Sequence, residues 1–133
     1  DSSSVTEIGD YSFNNCKSLT QILIPSSVTK IGEGVFKECK SLKEISFPSS
    51  LKYIRKYACY GCSSLKQISI PLFVTFTDKC SFFGCSLLSQ IKLPSLITYI
   101  DIMLLKIALR YMKFGFFRLQ LNSKIKFLKD AHH

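Results

Sequence analysis

The sequence predicts a repeat solenoid, in which stacked coils share one core and lay a curved parallel β-sheet along one side. Three observations support this fold class. Prolines recur every 23 residues, a cysteine column keeps the same step, and each proline follows two apolar residues that stand two positions apart. Self-similarity at a fixed period of about 20–50 residues is typical of solenoids and repeat arrays. The recurring residues are Pro25, Pro48, Pro71 and Pro94, with Cys16, Cys39, Cys62 and Cys85.

A short strand is predicted directly before each proline. Side chains two residues apart point to the same side of a strand, so the apolar pair faces the core. Proline cannot donate to a β-ladder and therefore ends the strand. A leucine three residues ahead of the pair completes the apolar unit. The leucines are Leu19, Leu42, Leu65 and Leu88, and the first members of the pairs are Ile22, Ile45, Ile68 and Ile91.

The opposite side of each coil is predicted to consist of turns or short strands. Ser-Ser after the first two prolines and then glycine, at Gly9 and Gly32, supply turn residues that we expect to bend the chain toward the next coil. Phe13, Phe36 and Phe82, each with a cysteine three residues on, are predicted to fill the interior of this side. One unit alone cannot bury its apolar face, whereas four stacked units exceed the minimum of about three.

The consensus S-S-V-T-x-I-G-x-x-x-F-x-x-C-x-S-L-x-x-I-x-I-P resembles the BspA-like leucine-rich repeat, also called the Treponema pallidum type, over residues 3–100. The resemblance implies a leucine-rich-repeat solenoid and a family of bacterial and protist surface proteins, many of them linked to adhesion to host cells or matrix. It supplies no catalytic residues. This sequence departs from the consensus at Arg55 and Asp78, where glycine is expected, and in the irregular unit around residues 73–83.

Residues 1–100 are predicted to form the leucine-rich-repeat solenoid of four strand units, and residues 101–133 a basic, apolar tail. The formal net charge of the chain is +9, and the tail contributes seven Lys or Arg against two acids. Two structural interpretations of the tail stay open: a helical cap over the apolar end, or a degenerate fifth repeat with Phe114 among the residues on the apolar columns. A basic amphipathic helix lying on an anionic membrane surface is a third interpretation.

Metal and catalytic sites are not predicted. Cys59-x-x-Cys62 with Cys80 and Cys85 has zinc-ribbon spacing, but Cys62 and Cys85 belong to the repeat column, and Cys59 replaces a core phenylalanine. Buried structural thiols are therefore favoured over a metal site, and disulfides between neighbouring coils stay a lesser alternative. The two histidines are the last two residues. No nucleophile–base arrangement, phosphate loop or cofactor motif is present, so neither an enzyme nor a small-molecule substrate is expected.

Outward-facing strand residues form the predicted ligand-binding face. If the isoleucines point inward, the residues on either side of them point outward in regular columns along the sheet. Gln, Ser and Lys dominate these columns, and such side chains either hydrogen-bond a protein or glycan ligand or simply keep the sheet soluble. The predicted concave-face binding residues are Gln21, Leu23, Lys43, Glu44, Ser46, Lys66, Gln67, Ser69, Gln90 and Lys92.

The predicted function is a non-enzymatic binding or adhesion module whose protein or glycan ligand belongs to a host surface or matrix. Neither a cofactor nor a nucleic-acid partner is expected, because the basic residues lack a nucleic-acid-binding fold around them. The family resemblance implies a cell-surface location; no signal peptide or transmembrane run is visible, and a cytoplasmic location stays open. The alternative function is an intracellular interaction scaffold that contacts membrane surfaces through its basic tail.

Overall fold

The computed structural model describes residues 4–94 together with the backbone of three later strands, residues 99–101, 118–119 and 126–128. The chain winds through successive coils, with one series of strands ahead of the proline column and a second series after it. In chain order the strands are β1 (Glu7–Ile8), β2 (Gln21–Leu23), β3 (Lys30–Ile31), β4 (Glu44–Ser46), β5 (Gln67–Ser69), β6 (Gln90–Lys92), β7 (Tyr99–Asp101), β8 (Arg118–Leu119) and β9 (Lys126–Leu128).

The strands ahead of the proline column pair in parallel, and each residue lies opposite the equivalent residue of the next repeat. Ile22 lies opposite Ile45 in the β2–β4 ladder, and Ile68 lies opposite Ile91 in the β5–β6 ladder. Along β4, β5 and β6 the three residues are exposed, buried and exposed, because successive side chains of a strand point to opposite faces. The predicted parallel leucine-rich-repeat strands, with isoleucine pointing inward, are confirmed.

A second parallel series of short strands follows the proline column. β1 pairs with β3, and β7 pairs with β9 further along the chain. Between them, isolated parallel bridges join Lys30 to Tyr53 and Ile54 to Thr77. Ile54 and Thr77 are completely buried, so this series closes the core on the side opposite the first. The predicted short strands on the opposite side of the solenoid are therefore confirmed.

Turn segments between the second strand series and the cysteine column complete each coil. They stack through backbone hydrogen bonds from one coil to the next, and the pattern repeats along the solenoid. Stacking of the coils removes backbone N–H and C=O groups from contact with water, and these hydrogen bonds satisfy them. Between the second and third coils they are Gly34 N to Lys56 O (3.0 Å), Phe36 N to Ala58 O (2.9 Å) and Glu38 N to Tyr60 O (2.6 Å).

One continuous core fills the coils. Leu42, Leu65 and Leu88 are completely buried, and the phenylalanine column adds Phe36 and Phe82. Burying an aliphatic side chain of this size contributes about 1.5–3 kcal/mol relative to leaving it exposed. In the first coil the equivalent side chains are only partly buried. Stability is therefore concentrated in the coils that have a packed neighbour on both sides.

Two positions in every turn segment adopt the left-handed backbone region. The φ angles lie between 56° and 81° in all eight residues, although only three of them are glycine. A residue with a Cβ costs about 1–2 kcal/mol in this region, so the stacked turns must hold it there. Cys80, which the repeat pattern leaves unexplained, belongs to the first of these columns. The columns are Tyr11, Gly34, Tyr57 and Cys80, and Asn15, Glu38, Gly61 and Gly84.

The glycines expected to supply the turns, Gly9 and Gly32, do not adopt the left-handed conformation. Gly32 serves the fold for another reason. A Cβ at this position would lie 2.6 Å from the backbone nitrogen of Asp10, so the close approach of two coils excludes a side chain. The Asp10 carboxylate also accepts a hydrogen bond from the backbone amide of Glu33 at 2.8 Å. The turn-chemistry explanation for these two glycines is therefore wrong.

The first strand series is interrupted between β4 and β5. Three-residue ladders join β2 to β4 and β5 to β6, but no ladder joins β4 to β5 in the part of the chain that the structure describes. Just ahead of the ladders, the amide of Lys43 donates to Thr20 at 2.8 Å and that of Ser89 donates to Lys66 at 2.9 Å. Among the described residues the equivalent bond from Lys66 to Lys43 is not formed. β4 and β5 thus lie in contact without sharing a ladder.

The strand register changes beyond residue 94. β8 pairs with β6 so that Leu119 lies opposite Ile91, 28 residues earlier. A fifth repeat in the 23-residue register would instead place Phe114 in this column; Phe114 lies outside the described residues, and the degenerate fifth repeat stays a prediction. The interpretations of the tail as a helical cap or an amphipathic surface helix concern residues 102–121. Within that range the structure describes only strand β8 (Arg118–Leu119), so a helix does not extend through these two residues, and the other positions lie outside the described residues. The domain boundary at residue 100 stays a prediction.

Candidate binding face

The exposed residues of β2, β4, β5 and β6, with those directly ahead of β4 and β5, form one surface, which we call the strand face. All ten residues predicted to bind ligand are exposed there. The direction of the strand residues follows from the inward-pointing isoleucines at the alternate positions of the same strands. Lys43 and Lys66 precede their strands and are exposed. Ligand binding by these residues stays a prediction. The strand face comprises Gln21, Leu23, Lys43, Glu44, Ser46, Lys66, Gln67, Ser69, Gln90 and Lys92.

Neighbouring strands place hydrogen-bonding groups side by side on the strand face. Across the β5–β6 ladder, Gln67 lies opposite Gln90 and Ser69 lies opposite Lys92, at the usual strand spacing of about 4.8 Å. Amide side chains carry both donors and acceptors, so an adjacent pair offers a ligand several hydrogen bonds in a fixed arrangement. Leu23, with 81% of its side chain exposed, is the apolar member of the face.

A cleft of about 340 Å³ opens in the strand face where the ladder is interrupted. Five strand-face residues contribute its polar lining, and apolar side chains from β4, β5 and the residues just after them contribute the rest. Ligand sites commonly combine an apolar lining with a few polar groups that fix orientation. The polar lining is Ser46, Gln67, Ser69, Gln90 and Lys92, and the apolar lining is Ile45, Phe47, Ile68 and Pro71.

Positive charge dominates the surroundings of this cleft. Lys92 lines it directly, and the exposed side chains of Lys43 and Lys66 occupy the column just ahead of β4 and β5. Glu44 is the one acidic member of the strand face. Charges of one sign around a cleft favour a partner of the opposite sign and speed its association. The face is therefore suited to a ligand that presents carboxylates or other anionic groups.

A second cleft, of about 420 Å³, lies at the first coil. It is lined by core residues that are only partly buried, such as Ile8, Phe13 and Ile22, together with exposed Val5 and Leu23. Except for Leu23, these side chains are the equivalents of buried residues in later coils. The cleft is thus the less covered end of the core, and it brings together no polar side chains comparable to those of the strand face.

The cysteine column consists of free thiols that hydrogen-bond to the preceding coil. None of the six cysteines forms a disulfide, and within the described residues no cluster of three metal-binding side chains occurs. The Cys39 thiol donates to the backbone carbonyl of Phe13 at 3.0 Å. A small apolar side chain with a weak donor suits this column, and buried structural thiols, the favoured prediction, match the structure. The other bonds are Cys62 Sγ to Phe36 O (3.1 Å) and Cys85 Sγ to Cys59 O (3.2 Å).

Thiol reactivity should separate the cysteines into two groups. Cys16 and Cys80 are half-buried and are expected to react with an alkylating reagent in the folded protein, whereas the four buried thiols react only after unfolding. Burial raises the pKa of Cys39 to about 11 and that of Cys85 well above its ordinary value, which further reduces the reactive thiolate near neutral pH. Mass spectrometry of alkylated peptides measures the difference. Rapid labelling of Cys62 in the folded protein would contradict its place in the core.

Comparison with known proteins identifies the class that this fold defines. The BspA type leucine rich repeat region matches residues 2–115 in six copies, and the chain belongs to this family. Such repeat proteins are typically non-enzymatic scaffolds that act in protein interactions. No curated protein matches the chain. Across the residues that the structure describes, no helix is long and apolar enough to cross a membrane.

Solved structures show the same fold. A leucine rich cell surface protein from Faecalibacterium prausnitzii is 35% identical over 75% of this chain and 26% of its own, with a TM-score of 0.73. The pneumococcal vaccine antigen PcpA is 30% identical over 73% of this chain and 24% of its own, with a TM-score of 0.69. A Treponema pallidum leucine rich repeat protein is 26% identical over 73% of this chain and 56% of its own, with a TM-score of 0.58. The chain thus spans about a quarter of the first two and about half of the third.

Proposed function

We propose that the chain is a non-enzymatic adhesion module that binds a protein or glycan ligand of a host surface or matrix on its strand face. The observation that carries this proposal is the cleft at the interrupted ladder, where polar strand-face groups surround apolar side chains. The cell surface protein and the vaccine antigen among the similar structures support a surface location, which we propose for this chain as well.

The cleft supplies the two kinds of contact that a specific ligand site needs. The half-buried ring of Phe47 offers an apolar surface to a side chain or sugar ring, which loses contact with water on binding. The amides of Gln67 and Gln90 hydrogen-bond the polar edge of the ligand, and Lys92 pairs with an anionic group. Because the backbone that carries these side chains is stacked between coils, binding needs little ordering of the backbone, and the cost of immobilising the exposed Gln and Lys side chains remains.

Gln67→Ala and Lys92→Ala are each expected to weaken ligand binding while leaving folding intact. Both side chains are exposed, so truncation removes contacts to the ligand and no core contact. Losing one hydrogen bond or charged contact costs about 0.5–3 kcal/mol, which is roughly 2- to 150-fold in affinity. A screen of matrix proteins and a glycan array identifies a ligand, and surface plasmon resonance then measures the affinity of each variant.

Lys52→Ala is the matched control, because Lys52 is an exposed lysine directly ahead of the bridge residues of the second strand series and not on the strand face. It should bind the ligand as tightly as the unmodified protein. If Gln67→Ala and Lys92→Ala also bind with unchanged affinity, the cleft is not the binding site and the proposal is wrong.

One observation favours a second function, an intracellular interaction scaffold that contacts membrane surfaces through the basic tail. The cysteine column (Cys16, Cys39, Cys62 and Cys85) contains no disulfide, and reduced thiols are usual where glutathione keeps a compartment reducing. Mild protease treatment of intact source cells distinguishes the two functions. Digestion of this chain with a cytosolic marker left intact supports the adhesion module, whereas full protection of both supports the scaffold.

A further inference from the structure

A row of aromatic side chains runs along the turn segments, on residues separate from the strand face. Tyr60 stacks on Phe83 of the next coil with ring centroids 5.3 Å apart and planes 30° apart. Tyr57 meets Tyr60 edge-on, with centroids 5.6 Å apart. Phe83 is 38% exposed and Tyr11, at the other end of the row, is 42% exposed. We call this surface the tyrosine ledge; it comprises Tyr11, Lys37, Lys56, Tyr57, Tyr60 and Phe83.

Two ammonium groups are held against the rings of the tyrosine ledge. Lys37 Nζ lies 5.5 Å from the ring centroids of both Tyr57 and Tyr60, and 6.0 Å from that of Tyr11. Lys56 Nζ lies 5.7 Å from the Tyr57 centroid. Because the negative face of an aromatic ring attracts a cation, both lysines are oriented before any partner arrives. The ledge therefore presents ordered positive charge beside exposed ring surface.

The backbone under the ledge favours glycine where the chain has tyrosine. Tyr11 and Tyr57 adopt left-handed φ angles of 56° and 61°, and Gly34 occupies the same column between them. Glycine would hold this conformation without steric cost. At Gly34 a Cβ would collide with the ring of Tyr11, so the glycine also leaves room for that ring. The stacked turns hold this column left-handed in every coil whatever its residue, so tyrosine at two of its positions places a ring in the row at some cost in backbone strain.

The composition of the ledge indicates the chemistry of its partner. The ledge has four aromatic rings and two ammonium groups, so it fits a partner that has more apolar ring surface than charged groups. The apolar C–H face of a pyranose packs on an aromatic ring, and a uronate carboxylate pairs with an ammonium group. Nucleic acid matches less well, because its backbone carries a charge on every unit. The ledge also advances with the coils, about 4.8 Å at a time, so consecutive coils meet consecutive parts of a linear polymer.

We propose that the tyrosine ledge binds an acidic polysaccharide in which charged and neutral sugars alternate. This site is separate from the strand face, so it does not depend on the function proposed above. The exposed ring of Phe83 packs against a neutral sugar, Tyr60 stacks on Phe83 and holds that ring in place, and Lys37 and Lys56 pair with the carboxylates.

The test uses hyaluronan oligosaccharides, which alternate uronate and neutral N-acetylhexosamine, and measures their affinity for the full 133-residue chain by titration calorimetry. Tyr60→Ser and Lys37→Gln are each expected to lower the affinity by about tenfold or more. Tyr60→Phe keeps the ring and should retain most of the affinity. The matched controls, Tyr53→Ser and Lys52→Gln, change exposed residues outside the ledge and should bind hyaluronan as the unmodified protein does.

Melting curves establish that the variants are folded, and Lys37→Gln tests the site even if Tyr60→Ser does not fold. The proposal is overturned if the unmodified protein does not bind hyaluronan, if the ledge variants bind as well as the controls, or if neutral dextran binds equally well. Tighter binding of oligothymidylate than of hyaluronan would also overturn it, in favour of a nucleic-acid surface. Unchanged hyaluronan binding by Gln67→Ala separates this site from the strand face.

Discussion

Replacing Leu65 with aspartate is expected to unfold the solenoid. Leu65 is completely buried in a central coil, with Leu42 and Leu88 at the equivalent positions of the coils on either side. Aspartate at this position removes apolar burial and places a carboxylate where no cation or donor is available to it. Such a change costs about 4–5 kcal/mol or more, a large part of the 5–15 kcal/mol that stabilises a typical domain. Circular dichroism during thermal unfolding measures the loss.

Lys66→Asp is the matched control, because it introduces the same side chain one residue later in an exposed position. The free energy of unfolding should change by no more than about 0.5 kcal/mol, as is usual for surface substitutions. A Leu65→Asp protein with the melting curve of the unmodified chain would show that the leucine column is not buried, and the fold described above would be wrong.

Gly84→Ala and Glu38→Gly are expected to change stability in opposite directions, although both occupy one left-handed column. At Gly84, φ is +81° and a Cβ would lie 3.2 Å from the Cα of Gly61. Alanine there should cost about 1–3 kcal/mol, from backbone strain and crowding together. At Glu38, φ is +61°, and glycine relieves the strain of the existing side chain. The gain should be about 0.5–1 kcal/mol, since the added freedom of the unfolded chain offsets part of it.

Urea denaturation of the two variants beside the unmodified protein measures both changes. Loss of the Glu38–Lys40 ion pair, with its nitrogen and oxygen 3.9 Å apart at the surface, contributes little to the comparison. A Glu38→Gln protein separates the charge from the conformation, because glutamine keeps the Cβ and should leave stability nearly unchanged. If Gly84→Ala is as stable as the unmodified protein, the left-handed turn is not retained in solution.

The strand series could be predicted from the sequence because each of its columns has one structural role. The isoleucine column is always inward and the residues beside it are always outward, so a single period locates both the core and the strand face. The exposure of Gln67 and Lys92 and the burial of Ile68 follow from that alternation alone. The buried thiols could also be predicted, because cysteine recurs in one column of the repeat. In the structure this is the position where a small apolar side chain donates to a backbone carbonyl.

Other features could not be predicted, for physical reasons that differ. The residues of β4 and β5 obey the same pattern, so nothing in their side chains signals that the ladder between them is missing. The left-handed columns contain Tyr, Asn, Glu and Cys as well as Gly, because stacking between coils overrides the local preference that glycine would reveal. In the last coil the register shift lies between β7 and β8, in a segment so rich in apolar residues that several registers satisfy the pattern.

The interrupted ladder also bears on where the solenoid opens. Between the second and third coils the turn segments remain joined by backbone bonds, such as Phe36 N to Ala58 O at 2.9 Å, while the opposite edges at β4 and β5 share no ladder in the described chain. These two coils are therefore joined by backbone hydrogen bonds at the turn segments and by no ladder between β4 and β5. Because regions with fewer backbone hydrogen bonds open more easily, local opening of the described solenoid is expected to begin at this joint, and amide hydrogen exchange measures it.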